Sequence, residues 1–153
     1  MLNKNNYSKI KLKNLITRQI YTFKDKQVLD LELFKKDKYY LKKSDWDPTT
    51  VFLYTSVDNS IQNSYYQDPK YFKSMYERYM LETEQKEHSI TNYDRLIDEF
   101  DLEILEKNKI IISHLENKFL NKKYVVVDGI HRLVILKNKF NIENINIKYF
   151  VIT

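Results

Sequence analysis

A single glycine serves the whole chain of 153 residues, and it stands at position 129, between the apolar run Tyr124-Val125-Val126-Val127 and the segment Ile130 to Phe140. Wherever the backbone must take a positive φ or admit a close neighbour, glycine is the residue suited to it. The chain has one such residue. Val125 to Val127 read as a buried strand, and Leu133, Leu136 and Phe140 fall on one face of a helix at spacings of three and four. Tyr124 to Ile135 (YVVVDGIHRLVI) therefore predicts a strand that turns tightly into a helix from about Ile130 to Phe140.

The first amides of a helix lack intrahelical acceptors, and with the dipole they favour a bound anion, phosphate above all. His131 and Arg132 lie in that first turn, where a cation is disfavoured unless something negative accompanies it. A guanidinium matches phosphate oxygens in a bidentate way, and an imidazole donates a hydrogen bond or moves a proton near neutral pH. Asp128, just before the turn, has three candidate roles: capping the helix, orienting His131, or holding a metal ion at the phosphates. Each residue alone has a plainer structural reading. The four together, with the glycine expected to leave room beside the helix, favour an anion site made of Gly129, Ile130, His131 and Arg132.

Around this corner the chain reads as a small mixed sheet flanked by helices, an α+β (α/β-like) domain over 1–153, with 1–45 as an N-terminal extension or added elements and 46–153 as the core. Val28 to Phe34 alternates like a short strand or helix edge. Asp47-Pro48-Thr49 signals a turn into a strand at Val51 to Tyr54. From Asp68-Pro69 a helix is expected, with Phe72, Met75, Tyr76, Tyr79 and Met80 on its apolar face, inside a helical insertion at about 60–88. A second helix is capped by Ser89 or Thr91 and buries Tyr93, Leu96, Ile97 and Phe100, with Asp94 in its first turn. Lys109 to Ser113 and Ile145 to Ile152 complete the strands. Tyrosines spaced three or four apart on a helix suggest core packing more than stacking platforms for bases.

Forty-two per cent apolar and 31% charged residues give the balance of a folded soluble protein. A net charge of +5 eases the approach of nucleotides, nucleic acid or acidic lipid without choosing among them. The lysine runs Lys4 to Lys13 and Lys35 to Lys43 are diluted by other residues and read as solvated faces. With no cysteine, disulfides, thiolate zinc sites and cysteine nucleophiles are excluded. No stretch approaches a membrane span and no signal peptide is evident, so a cytoplasmic location without membrane partners is expected.

The run VVVDGIHRLVIL, followed by a spacer and INIKYFVI, resembles the ParB/sulfiredoxin superfamily over Asn108 to Thr153, and more weakly back to Thr91. The resemblance implies Gly129, His131 and Arg132 as phosphate contacts. Sulfiredoxin chemistry needs a cysteine where Ile130 stands, and partitioning ParB proteins carry a second arginine in the turn and a further DNA-binding segment. The free-serine-kinase branch, with a DGHHR-like turn and a carboxylate base, is more similar. So are ParB-like proteins of surface-polysaccharide gene clusters, whose tyrosine-rich helix and HS pair correspond to Tyr65 to Tyr79 and His88-Ser89. What this implies is an ATP- or ADP-dependent phosphotransferase using Mg²⁺, acting on a small hydroxyl-bearing metabolite or sugar. Asp128 and His131 are then the catalytic candidates, Asp128 the metal ligand, and His88 and Ser89 a second phosphate or substrate patch. Glu84 and Glu87 are further base candidates but read more simply as a solvated helix end, Ser89 more simply as a cap, and His114 as a structural residue at a strand end. The alternative is a non-catalytic module that binds a nucleotide or nucleic acid; a nuclease would need a metal cluster that the sequence does not locate.

Overall fold

Strand β2 (Leu15–Thr22) organises the sheet, because it pairs antiparallel with β4 (Thr50–Ser56) on one side and parallel with β6 (Tyr124–Asp128) on the other. The computed structural model describes residues 9–22, 40–43, 50–82, 89–114 and 124–153. Six strands run in the order β3-β4-β2-β6-β5-β8, where β3 is Tyr40–Lys43, β5 Ile110–His114 and β8 Phe150–Ile152. A separate two-stranded ladder joins β1 (Lys9–Lys11) to β7 (Asn144–Asn146). With helices α1 (Ile61–Gln67), α2 (Pro69–Glu82), α3 (Ile90–Glu99), α4 (Leu102–Lys107) and α5 (Ile130–Lys139), the architecture is α+β around a mixed sheet.

Residues 9–22 thus add strands to the sheets formed with 50–56, 124–128 and 144–146. Leu15 and Thr17 are fully buried and Gln19 nearly so, because β2 lies between two partners and under the helices. The readings at Val28 to Phe34, at Asp47 to Thr49, and at Glu84, Glu87 and His88 lie outside the described residues.

One face of the sheet, through Leu15, Leu53, Ile112 and Val126, packs on the helices; Ile16, Tyr54 and Val125 form a smaller cluster on the other. Helix α5 is buried nearly all round, since Leu133, Val134, Ile135 and Leu136 are all enclosed. Each such side chain contributes roughly 1.5–3 kcal/mol through burial. Phe140, expected on that apolar face, instead stays partly exposed beyond the last turn and meets Phe100 edge-on at 5.8 Å.

Helices α2 and α3 form where the sequence places them. Pro69 opens α2, and Tyr76, Tyr79 and Met80 are buried. Ser89 caps α3, its Oγ accepting the Asn92 amide at 3.3 Å. Asp94 lies beyond the first turn and accepts the Tyr65 hydroxyl at 2.9 Å, so it serves a buried tyrosine and not the dipole.

The run Ile145 to Ile152 is not one strand. Asn146 breaks it: its Oδ1 accepts the Lys148 amide at 3.3 Å, a 3₁₀ turn covers Ile147–Tyr149, and β8 then joins β5 in parallel. An asparagine side chain that bonds the backbone two residues on competes with the ladder.

Candidate functional site: the cleft beside the amino end of helix α5

β2 and β6 pair only from Leu15↔Tyr124 to Thr17↔Val126. Beyond that point they diverge: β2 continues beside β4 alone, and β6 turns into α5. A gap outside the carboxyl ends of diverging parallel strands is where ligands settle on α/β sheets. Here it forms a cleft of about 230 Å³, whose polar lining comes from Arg18, Gln62, Tyr79, Asp128, His131 and Arg132. Ile20, Leu96, Val126, Val127 and Ile130 supply its apolar wall. Tyr79 closes the free edge of β2 by accepting the Ile20 amide at 3.4 Å.

The strand is irregular just there. Ile111 faces Asp128 while Ile112 faces Val126, so Val127 is an extra residue in β6 and stands 53% exposed. Bulges of this kind bend a strand and re-aim the side chains beside it.

Gly129 is the N-cap of α5 with φ 110°, and no side chain caps the helix, so Asp128 is not the cap expected of it. Nor does the glycine leave open room. A Cβ there would meet Ile110 Cγ1 at 2.9 Å and Arg132 Nη2 at 3.1 Å, so the space is already occupied. The first backbone bond of α5 runs from the Leu133 amide to the Gly129 carbonyl at 3.0 Å, leaving the preceding amides without intrahelical acceptors. What the glycine provides is the angle at which they meet the cleft.

Arg132 folds back across this corner. Its guanidinium donates to the carbonyls of Asn108 and Lys109 and pairs with Asp128 Oδ2 at 3.1 Å, with 12% of the arginine side chain and 57% of the aspartate exposed. The pair is an i,i+4 contact at the lip of the cleft, and Asp128 is the sole carboxylate among the lining residues.

His131 is buried and its Nε2 lies 2.7 Å from the Tyr76 hydroxyl. Burial pushes the Tyr76 hydroxyl well above its ordinary range, so it stays protonated in this pair. Tyr93 stands edge-on to the imidazole at 4.5 Å, and Tyr65 stacks on Tyr76 at 4.9 Å. The ring is held by tyrosines, and Nε2 is not turned to the cleft. A proton-transfer role through that nitrogen is therefore disfavoured, and Asp128 does not orient the ring through it.

Ser89 is a helix cap and does not line the cleft, although Leu96 of the same helix does. His114 is exposed at the end of β5 against Tyr124. Sequence reasoning missed Arg18, Gln62 and Tyr79. Arg18 stands in an alternating strand, LITRQIYT, where a charged residue reads as solvent-facing; only the pairing with β6 brings it here. Gln62 is buried, accepts the Gln19 amide at 2.6 Å, and gives its carbonyl to the Tyr93 hydroxyl.

The lining suits a phosphate in a small volume beside helix amides: it holds two arginines, Arg132 engaged by carbonyls and Asp128 and Arg18 with its guanidinium over the Phe52 ring at 5.3 Å. A whole nucleotide exceeds 230 Å³, so its base would lie along the open apolar wall formed by Leu96 and Val127. Among the described residues no three His, Asp or Glu side chains cluster as metal ligands. Mg²⁺ would find one carboxylate, Asp128, with phosphate oxygens completing its shell, as is common for this ion. Among the described residues no helix is long and apolar enough to cross a membrane.

Comparison of the chain with protein-family models, with curated proteins and with solved structures finds no match.

Proposed function

We propose that this chain is a nucleotide-binding phosphotransferase that carries ATP or ADP phosphates at the amino end of α5 and acts on a small hydroxyl-bearing metabolite or sugar. One observation carries the reading: Arg18 from β2, Arg132 from α5 and the first-turn amides of α5 line one cleft with a single carboxylate at its lip. The likeness of the DGIHR turn to free-serine kinases of the ParB/sulfiredoxin superfamily supplies the reaction class.

In this proposal Arg132 exchanges the carbonyls of Asn108 and Lys109 for phosphate oxygens, and Arg18 neutralises the opposite side. Exchange at Arg132 releases Asp128, which accepts the proton of the acceptor hydroxyl as that oxygen bonds phosphorus and the nucleotide's bridging oxygen departs. Bound Mg²⁺ would spread charge over the phosphates. His131 contributes a fixed ring below the turn, with its Nε2 engaged by the Tyr76 hydroxyl. A second reading, nucleotide or nucleic-acid binding without chemistry, draws on the Asp128–Arg132 pair, which engages the one carboxylate among the described lining residues.

Thermal-shift measurements with ATP, ADP, CTP and GTP, with and without Mg²⁺, test the proposal. A ligand at a hundred times its Kd should stabilise the fold by about 2.7 kcal/mol. Arg132→Ala should abolish that shift while the protein still folds, and Arg132→Lys should retain part of it, because a point charge lacks the planar fork. No response to any nucleotide, or an unchanged shift in Arg132→Ala, rejects the site. Hydrolysis accelerated by a hydroxyl acceptor separates the kinase from the binding module. An affinity for nucleic acid that falls steeply with salt marks the latter.

A further inference from the structure

At the other end of α5 lies a larger groove, of about 720 Å³, bounded by the turn after β1, the corner between β4 and α1, and the chain that leaves α5. Its size is that of a small-molecule site. About 15 Å of helix separates it from the phosphate corner, at 1.5 Å per residue. It is therefore not the acceptor site of the proposed transfer.

The chemistry of its walls is mixed and polar. Lys11, Lys13, Asp58, Lys137, Asn141 and Asn144 alternate donors with acceptors, and three ammonium groups face two carboxylates, Glu143 being the second. Among the described residues Leu12, Val57 and Ile142 are its only apolar lining and none of the lining is aromatic, so a planar base or an acyl tail has little to rest on there. The negative end of the α5 dipole lies here, which disfavours an anion. A neutral ligand whose every group both donates and accepts, as a hydroxyl does, matches this lining.

The walls are fixed in advance. Lys137 pairs with Asp58, and burial lowers the lysine's affinity for its proton. Asn138 accepts the Gln67 amide and donates to Asn63 Oδ1 and the Val134 carbonyl, each at 2.8 Å. Asn63 in turn donates to the Asp58 carbonyl at 2.8 Å. This chain of amides ties α1 to α5 and holds the Asp58 corner in place, so little side-chain freedom remains to be lost on binding. Asn141 has φ 55°, and the Ile142 amide closes back on Leu136 at 3.1 Å, which sets Asn141 at the rim.

We infer that this groove is a saccharide-binding site. It stands independently of what the amino end of α5 holds.

Saturation-transfer NMR on the full chain with maltotriose, mannotriose and chitotriose tests it. At least one should receive saturation. Its affinity should fall about ten-fold in the Asn141→Gly, Lys11→Ser double variant, the loss expected for one or two hydrogen bonds. Glycine accepts the left-handed backbone at 141, and Lys11 is exposed, so the variant should melt within about 2 °C of the parent. No transfer to any of the three overturns the inference. So does undiminished binding in the variant, and so does displacement of the sugar by inorganic phosphate, which would make the groove an anion site. None of these arms contains nucleotide, so their failure is separable from failure at α5.

Discussion

Gly129→Ala is expected to lower stability by about 3 kcal/mol, combining left-handed strain of roughly 1–2 kcal/mol with overpacking of a similar size. The added Cβ would press on Ile110 Cγ1 at 2.9 Å and Cγ2 at 3.2 Å, and Ile110 is fully buried in β5 with nowhere to withdraw. Arg132 Nη2, the third neighbour, is the end of a flexible chain and gives way more readily, which would loosen its hold on Asp128. Urea unfolding measures the loss. Ile110→Ala removes the two atoms the new methyl meets, so the double variant should lose less than the sum of the singles. A loss below about 1 kcal/mol for Gly129→Ala would mean that the turn is not built as described.

Raising the pH should unfold the protein cooperatively between about pH 10 and 12. Tyr65 and Tyr79 have their hydroxyls pushed from 10.0 up to about 12, mainly by burial, and Tyr76 and Tyr93 are raised as well for the same reason. The sign follows from linkage. The fold favours the neutral phenol, so this contribution is complete below pH 10 and is lost as pH rises toward the folded-state value. For Tyr79 alone, a rise from 10.0 to about 12 corresponds to roughly 2.7 kcal/mol. Tyr65, Tyr76 and Tyr93 act in the same direction, and Tyr79 alone is already a sizeable part of the whole stability of an ordinary domain, about 5–15 kcal/mol. Absorbance at 295 nm should therefore rise in two stages, the second coinciding with loss of far-ultraviolet circular dichroism. Ionisation of every tyrosine with the circular dichroism intact would overturn the described packing of Tyr65, Tyr76, Tyr79 and Tyr93.

Much of this was readable from local pattern, and the failures share a cause. The β6 strand, its turn and α5 were legible because one glycine marks the only unusual backbone angle between two strongly apolar runs. Helices α2 and α3 were legible through Pro69, Ser89 and their apolar spacing. Helix α1 was legible only as part of a helical insertion at about 60–88; its polar buried face was not, because the partners of Gln62 and Asn63, Gln19 and Asn138, come from distant elements. The same holds at the cleft. That Asp128 would pair with Arg132 follows from i,i+4 spacing on a helix edge, a signal that was available. That His131 would be enclosed by Tyr76 and Tyr93, and that Arg18 would line the cleft, depends on which elements meet. Spacing along a chain carries no such information.

The parallel pairing of β2 with β6 joins Leu15 to Tyr124, residues 109 apart in the chain. Contacts that distant are closed late and slowly, because the entropy of the intervening loop must be overcome before the pairing stabilises anything. During synthesis Arg18 is made early, yet the cleft it lines can take shape only after the strand carrying Asp128 has emerged. The ligand binding proposed for that corner would thus report completion of the sheet, and a severed N-terminal portion should regain it only when the segment bearing β6 and α5 is added back.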